Sequence, residues 1–273
     1  MKLNILLPTD FSENAQIAAD YAFSMFDSSQ IKVVLVHAVV SPRSTPGMMI
    51  NLTELMIEDA ERDLANEKIR LEEKFGNTGS IEFHAKLGYL QDVVPMFVKA
   101  HQIDLIVMGT LGENNLASKI LGSNTEHIVR KGFAPLLAVP SDAMADESLR
   151  ILIATAKDEI PMGENLEHMF SFLRNQESSR LGVLHVLTSD NERAQKALQM
   201  GAMQIRVDTE QAETPEEGIS QYLDKNEVDM LVVCHRHNTR LDYLFSRSTT
   251  KKLTGSIRVP MIIMPGQGVV SEV

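Results

Sequence analysis

The sequence has very little cysteine, since Cys234 is the single one among 273 residues. One cysteine cannot form an internal disulfide, so we expect a protein of a reducing compartment, the cytoplasm. Basic residues are also in the minority, with 26 Lys and Arg against 37 Asp and Glu and a formal net charge of −11. This balance argues against a nucleic-acid partner, which is bound through clusters of Lys and Arg.

Long hydrophobic runs are absent as well. No apolar run approaches the roughly 18 residues that span a bilayer, so no membrane partner is expected. The first apolar run is broken by Pro8 and Asp10, which is too early for a signal peptide. Apolar residues make up 44% and charged residues 23%, a normal composition for a folded protein of one large or two ordinary domains.

A glycine-rich stretch, Gly109–Ser123, reads GTLGENNLASKILGS and has its other glycines at Gly112 and Gly122. The segment before it, Asp104–Met108, predicts a buried strand, and a helix is predicted at Thr125–Lys131. Glycines let a backbone approach a ligand closely. The first N–H groups of a helix have no internal partner and attract anions. The stretch therefore indicates a phosphate site.

The chain repeats its own pattern of apolar segments. The matching pairs are Leu3–Leu7 with Leu149–Ile153, Val33–Val39 with Leu181–Leu187, Asp104–Met108 with Asp229–Val233, and Pro135–Pro140 with Pro260–Pro265. Segments with helical periodicity separate them, and this alternation predicts an α/β fold with parallel sheets covered on both faces. The polar stretch Ser141–Ser148 predicts a linker. We expect domains at 1–141 and 149–273, joined by residues 142–148.

The first half is the longer one between its second and fourth strands. A Pro- and Gly-containing loop, Ser41–Gly47, precedes a long predicted helix at about Asn51–Phe75. This helix carries a partial apolar stripe of Leu52, Leu55, Met56, Leu64 and Leu71, which Asp59 interrupts. The loop leaves the carboxyl end of a strand, where ligands usually bind, so it is either a lid or a plain solvated connection.

Three segments together resemble the universal stress protein family in its tandem two-domain form. They are PTD at Pro8–Asp10, VHAV at Val36–Val39, and the glycine pattern of Gly109–Ser123. The resemblance extends over essentially the full length. It implies two adenine-nucleotide α-hydrolase-like (Rossmann-like) domains, each a doubly wound five-stranded parallel sheet, that pair through their last strands. It also implies that the half with the intact glycine pattern binds ATP, or ADP or AMP, with Mg²⁺.

The resemblance also implies a set of nucleotide-binding residues: Pro8, Thr9, Asp10, Ala38, Gly88, Met108, Gly109, Gly112, Gly122, Ser123 and Asn124. Asp10 is expected to face the ribose or adenine, and the backbone of Ala38 to line the adenine pocket, with Gly88 near the base. Met108 and Gly109 are expected beneath the nucleotide. Gly112, Gly122, Ser123 and Asn124 are expected at the phosphates.

Several of these residues have purely structural alternatives. Asp10 precedes Glu13 by three residues, so it is also a candidate cap for the first helix. Gly109 and Gly112 taken alone are compatible with simple turn glycines. His37 is interpreted as a packed strand-end histidine, because His185 repeats it in the other half.

The second half has lost the phosphate motif. The positions of the three glycines hold Cys234, His237 and Arg247, although Ser248 remains, and Thr155–Lys157 stands in place of the PTD segment. An arginine would fill the phosphate space, and a Cβ is strained where φ is positive. We therefore expect this half not to bind ATP in the family manner.

Two clusters in the second half have open interpretations. The first is a basic cluster with three open interpretations: it binds another anion, contacts the acidic first half, or is solvated. Its members are Arg236, Arg240, Arg247, Lys251 and Lys252. Cys234, His235 and His237 are candidate zinc ligands, but no second cluster accompanies them, and Cys234 alone suits a small buried hydrophobe.

Three functions follow from the sequence. The first is an ATP-binding signalling module whose occupancy is read by an unknown protein partner or a second subunit. The second is a slow ATPase or autophosphorylating protein, modified at Ser123 or Thr125, although nothing aligns the flanking Glu113 or His127 with an attacking water. The third is a nucleotide-independent scaffold in which the last strands pair, within one chain as an internal pseudo-dimer or between two chains as a homodimer.

Overall fold

The computed structural model describes residues 2–41, 49–76, 80–110, 123–144, 148–155, 164–173, 177–188, 197–200, 203–234 and 259–265. The first half contains β1 (Leu3–Pro8), α1 (Glu13–Met25), β2 (Ile31–Val39), α2 (Met49–Phe75), β3 (Ser80–Leu87), α3 (Leu90–Ala100), β4 (Leu105–Gly109), α4 (Ser123–Lys131) and β5 (Leu136–Val139). The second half contains β6 (Arg150–Thr155), α5 (Glu164–Phe170), β7 (Arg180–Leu187), β8 (Ala197–Met200), β9 (Met203–Gln211), α6 (Pro215–Lys225), β10 (Met230–Cys234) and β11 (Met261–Met264).

These strands form one sheet in the order β3-β2-β1-β4-β5-β11-β10-β6-β7-β9-β8. From β3 to β5 each strand is parallel to its neighbour, and so is each strand from β11 to β9. The predicted α/β fold is confirmed. Its sheet is mostly parallel, as expected when helices connect successive strands.

The last strands of the two halves join the sheet at its centre. Strands β5 and β11 pair antiparallel, with Met261 opposite Ala138 and Ile263 opposite Leu136. This is the pairing expected of the last strands. The strand direction reverses between β5 and β11. The carboxyl ends of β6, β7 and β10 therefore point in the opposite direction from those of β1, β2 and β4.

The described residues of the second half form six strands, so the expectation of five strands in each half is wrong there. The additional strand, β8, is antiparallel to β9, with Ala197 opposite Arg206 and Met200 opposite Met203. Its sequence, ALQM, contains no β-branched or aromatic residue, so strand propensity gave no signal for it. Pairing with a consecutive neighbour across a short connection makes it a strand.

An aspartate comes just before β4 and another just before β10. The Asp104 carboxylate accepts a hydrogen bond from the backbone N–H of Asn4 at 2.8 Å. Asp229 accepts one from the backbone N–H of Arg150 at 2.7 Å. The strand predicted at Asp104–Met108 begins one residue later, at Leu105. Asp104 instead fixes β4 to the start of β1 through its side chain.

Two hydrophobic layers cover the two faces of the sheet. On one face α1, α2 and α5 contribute buried residues such as Phe23, Leu64 and Met169. On the other face α3, α4 and α6 contribute residues such as Val94 and Ile128. In the described part of the chain, none of the helices combines the length and apolar character that crossing a membrane requires.

Helix α2 buries only part of its predicted apolar stripe. Leu64 and Leu71 are fully buried, whereas Leu52 and Leu55 are 41% and 53% exposed. A helix of 27 residues is about 40 Å long, and an eight-residue strand such as β3 is about 26 Å long. The helix therefore extends past the strand that it covers. The predicted lid lies outside the described residues except for Ser41, whose hydroxyl is 3.2 Å from that of Thr53.

Candidate functional site

The strand order creates a crevice between the carboxyl ends of β1 and β4. These strands are neighbours, with Leu6 opposite Ile106. The chain leaves β1 toward β2 through α1 on one face of the sheet, and it leaves β4 toward β5 through α4 on the other face. Such a reversal of strand order is where open α/β sheets bind ligands, because the two loops diverge and leave space between them.

The turn after β1 is held by hydrogen bonds to β2. The N–H of Thr9 donates to the carbonyl of Val36 at 2.8 Å. The His37 Nδ1 lies 2.7 Å from the carbonyl oxygen of Thr9. Since a carbonyl oxygen only accepts, Nδ1 carries the proton in this bond. The interpretation of His37 as a packed strand-end residue is supported, because its ring also lies 4.7 Å from that of Phe11.

Phe11 has a φ of 63°, which is unusual for a residue with a bulky side chain. Its N–H donates to the Thr9 hydroxyl oxygen at 3.0 Å, and its ring packs on His37. These contacts stabilise the turn and direct the next segment into α1. The sequence offered no signal for this conformation, because positive φ is predicted at glycine and asparagine rather than at phenylalanine.

Asp10 supports the cap of α1 rather than forming it. The Asp10 Oδ1 accepts hydrogen bonds from the N–H of Ser12 at 3.1 Å and from its hydroxyl at 2.6 Å. Ser12 is the N-cap, and its hydroxyl oxygen accepts from the N–H of Ala15. The alternative in which Asp10 itself caps the helix is therefore wrong by two residues. Asp10 remains exposed at the mouth of the crevice.

Gly109 ends β4 where the start of α1 passes very close to it. A Cβ at this position would lie 2.8 Å from the carbonyl oxygen of Asn14, which is shorter than real Cβ contacts. Gly109 therefore has a packing requirement of its own, different from that of a turn glycine. Met108, the preceding residue, is buried and belongs to the core on the α3 and α4 face of the sheet.

The first turn of α4 is fixed to the end of β4. The buried Thr125 donates its hydroxyl hydrogen to the carbonyl of Gly109 at 3.0 Å. Helix α4 begins at Ser123, two residues earlier than predicted, and Ser123 and Asn124 are exposed. The arrangement places the first turn of α4, whose N–H groups have no partner within the helix itself, beside the crevice. Gly112 and Gly122 lie outside the described residues.

The two remaining predicted residues lie at the ends of β2 and β3. Ala38 is half-buried and opposite Lys86 in β3. Gly88 follows β3 with a φ of 139°, and its N–H donates to the carbonyl of Val39 at 2.9 Å. Pro8, Thr9 and Ala38 thus lie together at the β1 and β2 ends, whereas Gly88 lies one strand farther from the crevice.

Much of the corresponding region in the second half lies outside the described residues. This applies to Lys157, to His235 and His237, and to the predicted basic cluster. The ends of β6, β7 and β10 are described, at Thr155, Leu187 and Cys234, and Thr155 lies opposite the buried His185. The predicted loss of the phosphate motif therefore stays a prediction.

Known proteins resemble this chain in sequence and in fold. The model of the universal stress protein family matches residues 1–140. Universal stress protein MJ0577 of Methanocaldococcus jannaschii is 27% identical over 154 residues, which are 51% of this chain and 95% of that protein. The crystal structure of a universal stress protein from Archaeoglobus fulgidus is 17% identical and has a TM-score of 0.64, and the match covers 96% of this chain and 98% of that one. A universal stress protein in complex with cAMP matches 52% of this chain and 98% of its own, at 21% identity and a TM-score of 0.37.

Proposed function

Because the chain belongs to the universal stress protein family, we propose that it is an adenine-nucleotide-binding module for stress signalling. ATP, or alternatively ADP or AMP, binds with Mg²⁺ at the carboxyl ends of β1, β2 and β4. The first half holds the nucleotide, and the second half is structural or regulatory. A protein partner or a second subunit reads the occupied state through the Ser41–Gly47 loop and α2.

The observation that carries this proposal is the crevice between β1 and β4 with the start of α4 fixed beside it. The bond from Thr125 to Gly109 holds the first turn of α4 against the strand end. Phosphates bind at such helix starts through free N–H groups and the positive end of the helix dipole. Ser123 and Asn124 are exposed there, and the proposal assigns the anion to their backbone N–H groups and to the Ser123 hydroxyl.

The other end of the nucleotide is assigned to the turn after β1. His37 and Val36 hold both polar backbone atoms of Thr9, so the position of Asp10 is fixed by its neighbours. Asp10 uses one carboxylate oxygen to hold Ser12, and its exposed carboxylate is suited to accept the ribose hydroxyls. Mg²⁺ keeps several waters and binds mainly to the phosphates of its nucleotide.

The full proposed site has two groups of residues. The base and ribose group is Pro8, Thr9, Asp10, Ala38, Gly88 and Met108, and the phosphate group is Gly109, Gly112, Gly122, Ser123 and Asn124. The proposal includes domains at 1–141 and 149–273 with a linker at 142–148, and a cytoplasmic location. The Asp104 and Asp229 contacts support the division, because Asp104 fixes β4 to β1 in the first half and Asp229 fixes β10 to β6 in the second.

The test is a calorimetric titration of Mg·ATP into the full chain and into Gly122→Arg, which imitates Arg247 of the second half. Asn66→Arg is the matched control, because it adds the same guanidinium on the exposed side of α2. We expect one site per chain in the wild type and in Asn66→Arg, and no binding in Gly122→Arg. Titrations with ADP, AMP and cAMP rank the nucleotides.

A second candidate function is a scaffold that needs no nucleotide. The antiparallel pairing of β5 with β11 favours it, because it covers two strand edges that would otherwise be open. In this case the wild type neither binds any of the four nucleotides nor releases one on denaturation. Light scattering then decides whether the paired strands serve as an internal pseudo-dimer or whether two chains also associate.

A further inference from the structure

Three potential metal ligands meet at the outer strand of the first half. Glu82 and His84 lie on the same face of β3, and His101 is the C-cap of α3, which covers that face. One ligand atom from each residue lies within 4.8 Å of the other two. The Nδ1 of His101 is 3.6 Å from Oε2 of Glu82.

The aromatic ring of Phe97 holds the two imidazoles near each other. It stacks on His101 with ring centres 5.5 Å apart and an angle of 9°, and its centre is 5.2 Å from that of His84. The backbone N–H of His101 donates to the carbonyl of Phe97 at 3.0 Å, which fixes the end of the helix. The rings therefore need little rearrangement to face one ion.

Lys32 on the neighbouring strand holds the third ligand in place. Its Nζ is 3.0 Å from Oε1 of Glu82, so this contact leaves Oε2 on the His101 side. A carboxylate oriented through one oxygen and coordinating through the other is a common arrangement around metal ions.

The ligand chemistry selects the class of ion. Two imidazoles and one carboxylate suit zinc and its first-row neighbours, whereas Mg²⁺ and Ca²⁺ prefer oxygen alone. Zinc binds nitrogen and oxygen ligands at about 2.1 Å, so tetrahedral ligand atoms lie about 3.4 Å apart. A bound ion would draw the three ligand atoms, which lie within 4.8 Å of one another, to this spacing, and water would complete the coordination.

We propose that Glu82, His84 and His101 form a binding site for one divalent transition-metal ion, such as Zn²⁺. A bound ion connects β3 to the end of α3 and so fixes the helix against the edge of the sheet. The site is independent of the proposed nucleotide site, because Glu82 lies about 20 Å along the extended chain from Gly88. Binding of nucleotide is not required for it.

The second half provides an internal comparison for this cluster. By strand register and helix position, Arg206, Asp208 and Asn226 correspond to Glu82, His84 and His101. Tyr222, which corresponds to Phe97, donates its hydroxyl hydrogen to Asp208 at 2.7 Å. The same position thus carries an ordinary hydrogen bond in one half and a metal-ligand set in the other.

The experiment is a Zn²⁺ titration of tag-free, metal-stripped full chain against a chelating dye, repeated with Co²⁺ to record its visible d–d absorption. The variants are His84→Ala, Glu82→Gln and His101→Asn, and the last one takes the C-cap residue of the second half. His127→Ala is the histidine control on α4. A triple variant, Cys234→Ser with His235→Ala and His237→Ala, removes the other candidate ligands. Circular dichroism and melting in chelator confirm that each variant is folded.

We expect one Zn²⁺ per chain and a Co²⁺ spectrum typical of nitrogen and oxygen ligands. Each cluster variant should weaken binding by more than about tenfold, as losses near metal centres do. His127→Ala and the triple variant should bind as the wild type does. The proposal is overturned if the wild type binds no ion, if the cluster variants bind equally well, or if only the triple variant loses binding.

Discussion

The two halves of the chain share several hydrogen bonds at the strand starts and ends but differ in the side chains that surround the strand ends. Gly88 N–H bonds to Val39 in the first half, and Ala212 N–H bonds to Leu187 at the matching position of the second. The strand-start contacts of Asp104 and Asp229 recur in the same way. These shared contacts keep the strand starts and ends alike in the two halves, whereas the side-chain volume near the strand ends differs.

One pair of positions shows this difference in volume. In the first half Ala38 on β2 and Val93 on α3 pack in the same core cluster. In the second half the corresponding residues are Val186 on β7 and Gly218 on α6, so the large side chain is on the strand instead of the helix. At the strand end that corresponds to the one proposed for adenine, the second half therefore has a valine side chain packed against α6.

The largest effect is expected at Gly109. A Cβ there would lie 2.8 Å from the backbone oxygen of Asn14, and a backbone atom moves only if α1 moves. We expect Gly109→Ala to lower the free energy of unfolding by about 3 kcal/mol, the upper end for overpacking. Urea denaturation measures it, with Gly182→Ala as the control, because a Cβ there lies 3.7 Å from the Leu152 side chain.

Equal losses in Gly109→Ala and Gly182→Ala would contradict this account of Gly109. The second half has Cys234, a residue with a Cβ, at the position that corresponds to Gly109. The prediction therefore tests whether the close approach of α1 is particular to the first half.

A smaller effect is expected at Gly218. A Cβ on this residue would lie 2.4 Å from Cγ1 of Val186. Overpacking by Gly218→Ala costs about 1–3 kcal/mol, which outweighs the roughly 1 kcal/mol that alanine gains over glycine within a helix. In a Val186→Ala background, which imitates Ala38, the same change should become neutral or stabilising. A double-mutant cycle by urea denaturation without a change of sign would contradict the volume argument.

The smallest effect concerns Asp229 and the pH dependence of stability. Hydrogen bonds from the Arg150 guanidinium to Asp229, with Nε at 2.8 Å, lower the pKa of this carboxyl. A carboxyl whose pKa is lowered by folding adds stability above its unfolded pKa, and the gain is lost as pH falls through the folded value. The gain is therefore present at neutral pH and disappears below about pH 4.

We expect Asp229→Ala to be less stable than the wild type at neutral pH, and the difference to shrink as pH falls below about 4. Denaturant midpoints across this range measure it. Asp104→Ala is the counterpart at neutral pH in the first half, where Asn4 lacks the guanidinium that Arg150 adds. A constant difference between wild type and Asp229→Ala at all pH values would show that Asp229 acts only as a packed side chain.

Much of the fold was predictable from local patterns. The paired apolar segments predicted β1, β2, β4 and β5 and their counterparts β6, β7, β10 and β11, because buried parallel strands are short continuous apolar runs. The strand β8 was missed, since its sequence has no strand propensity and its state depends on pairing with β9. Helix α2 was predicted within two residues of its observed start, but the exposure of Leu52 and Leu55 was not.

The candidate site was also predicted in part, again from local patterns in the sequence. Its strand ends and glycines are recognisable because glycine and short motifs are local features. Ser12 and Phe11 were missed, since their roles come from contacts with Asp10 and His37 that no spacing rule contains.

The sequence by itself determined the alternation of strands and helices, the repeat, and the family to which the chain belongs, since each depends on residues close together in the chain. Only the tertiary structure decided which face each helix covers, why Gly109 has no room for a Cβ, and that Glu82 and His84 meet His101. These features join residues far apart in sequence, and only the packing of α1 and α3 against the sheet determines their distances.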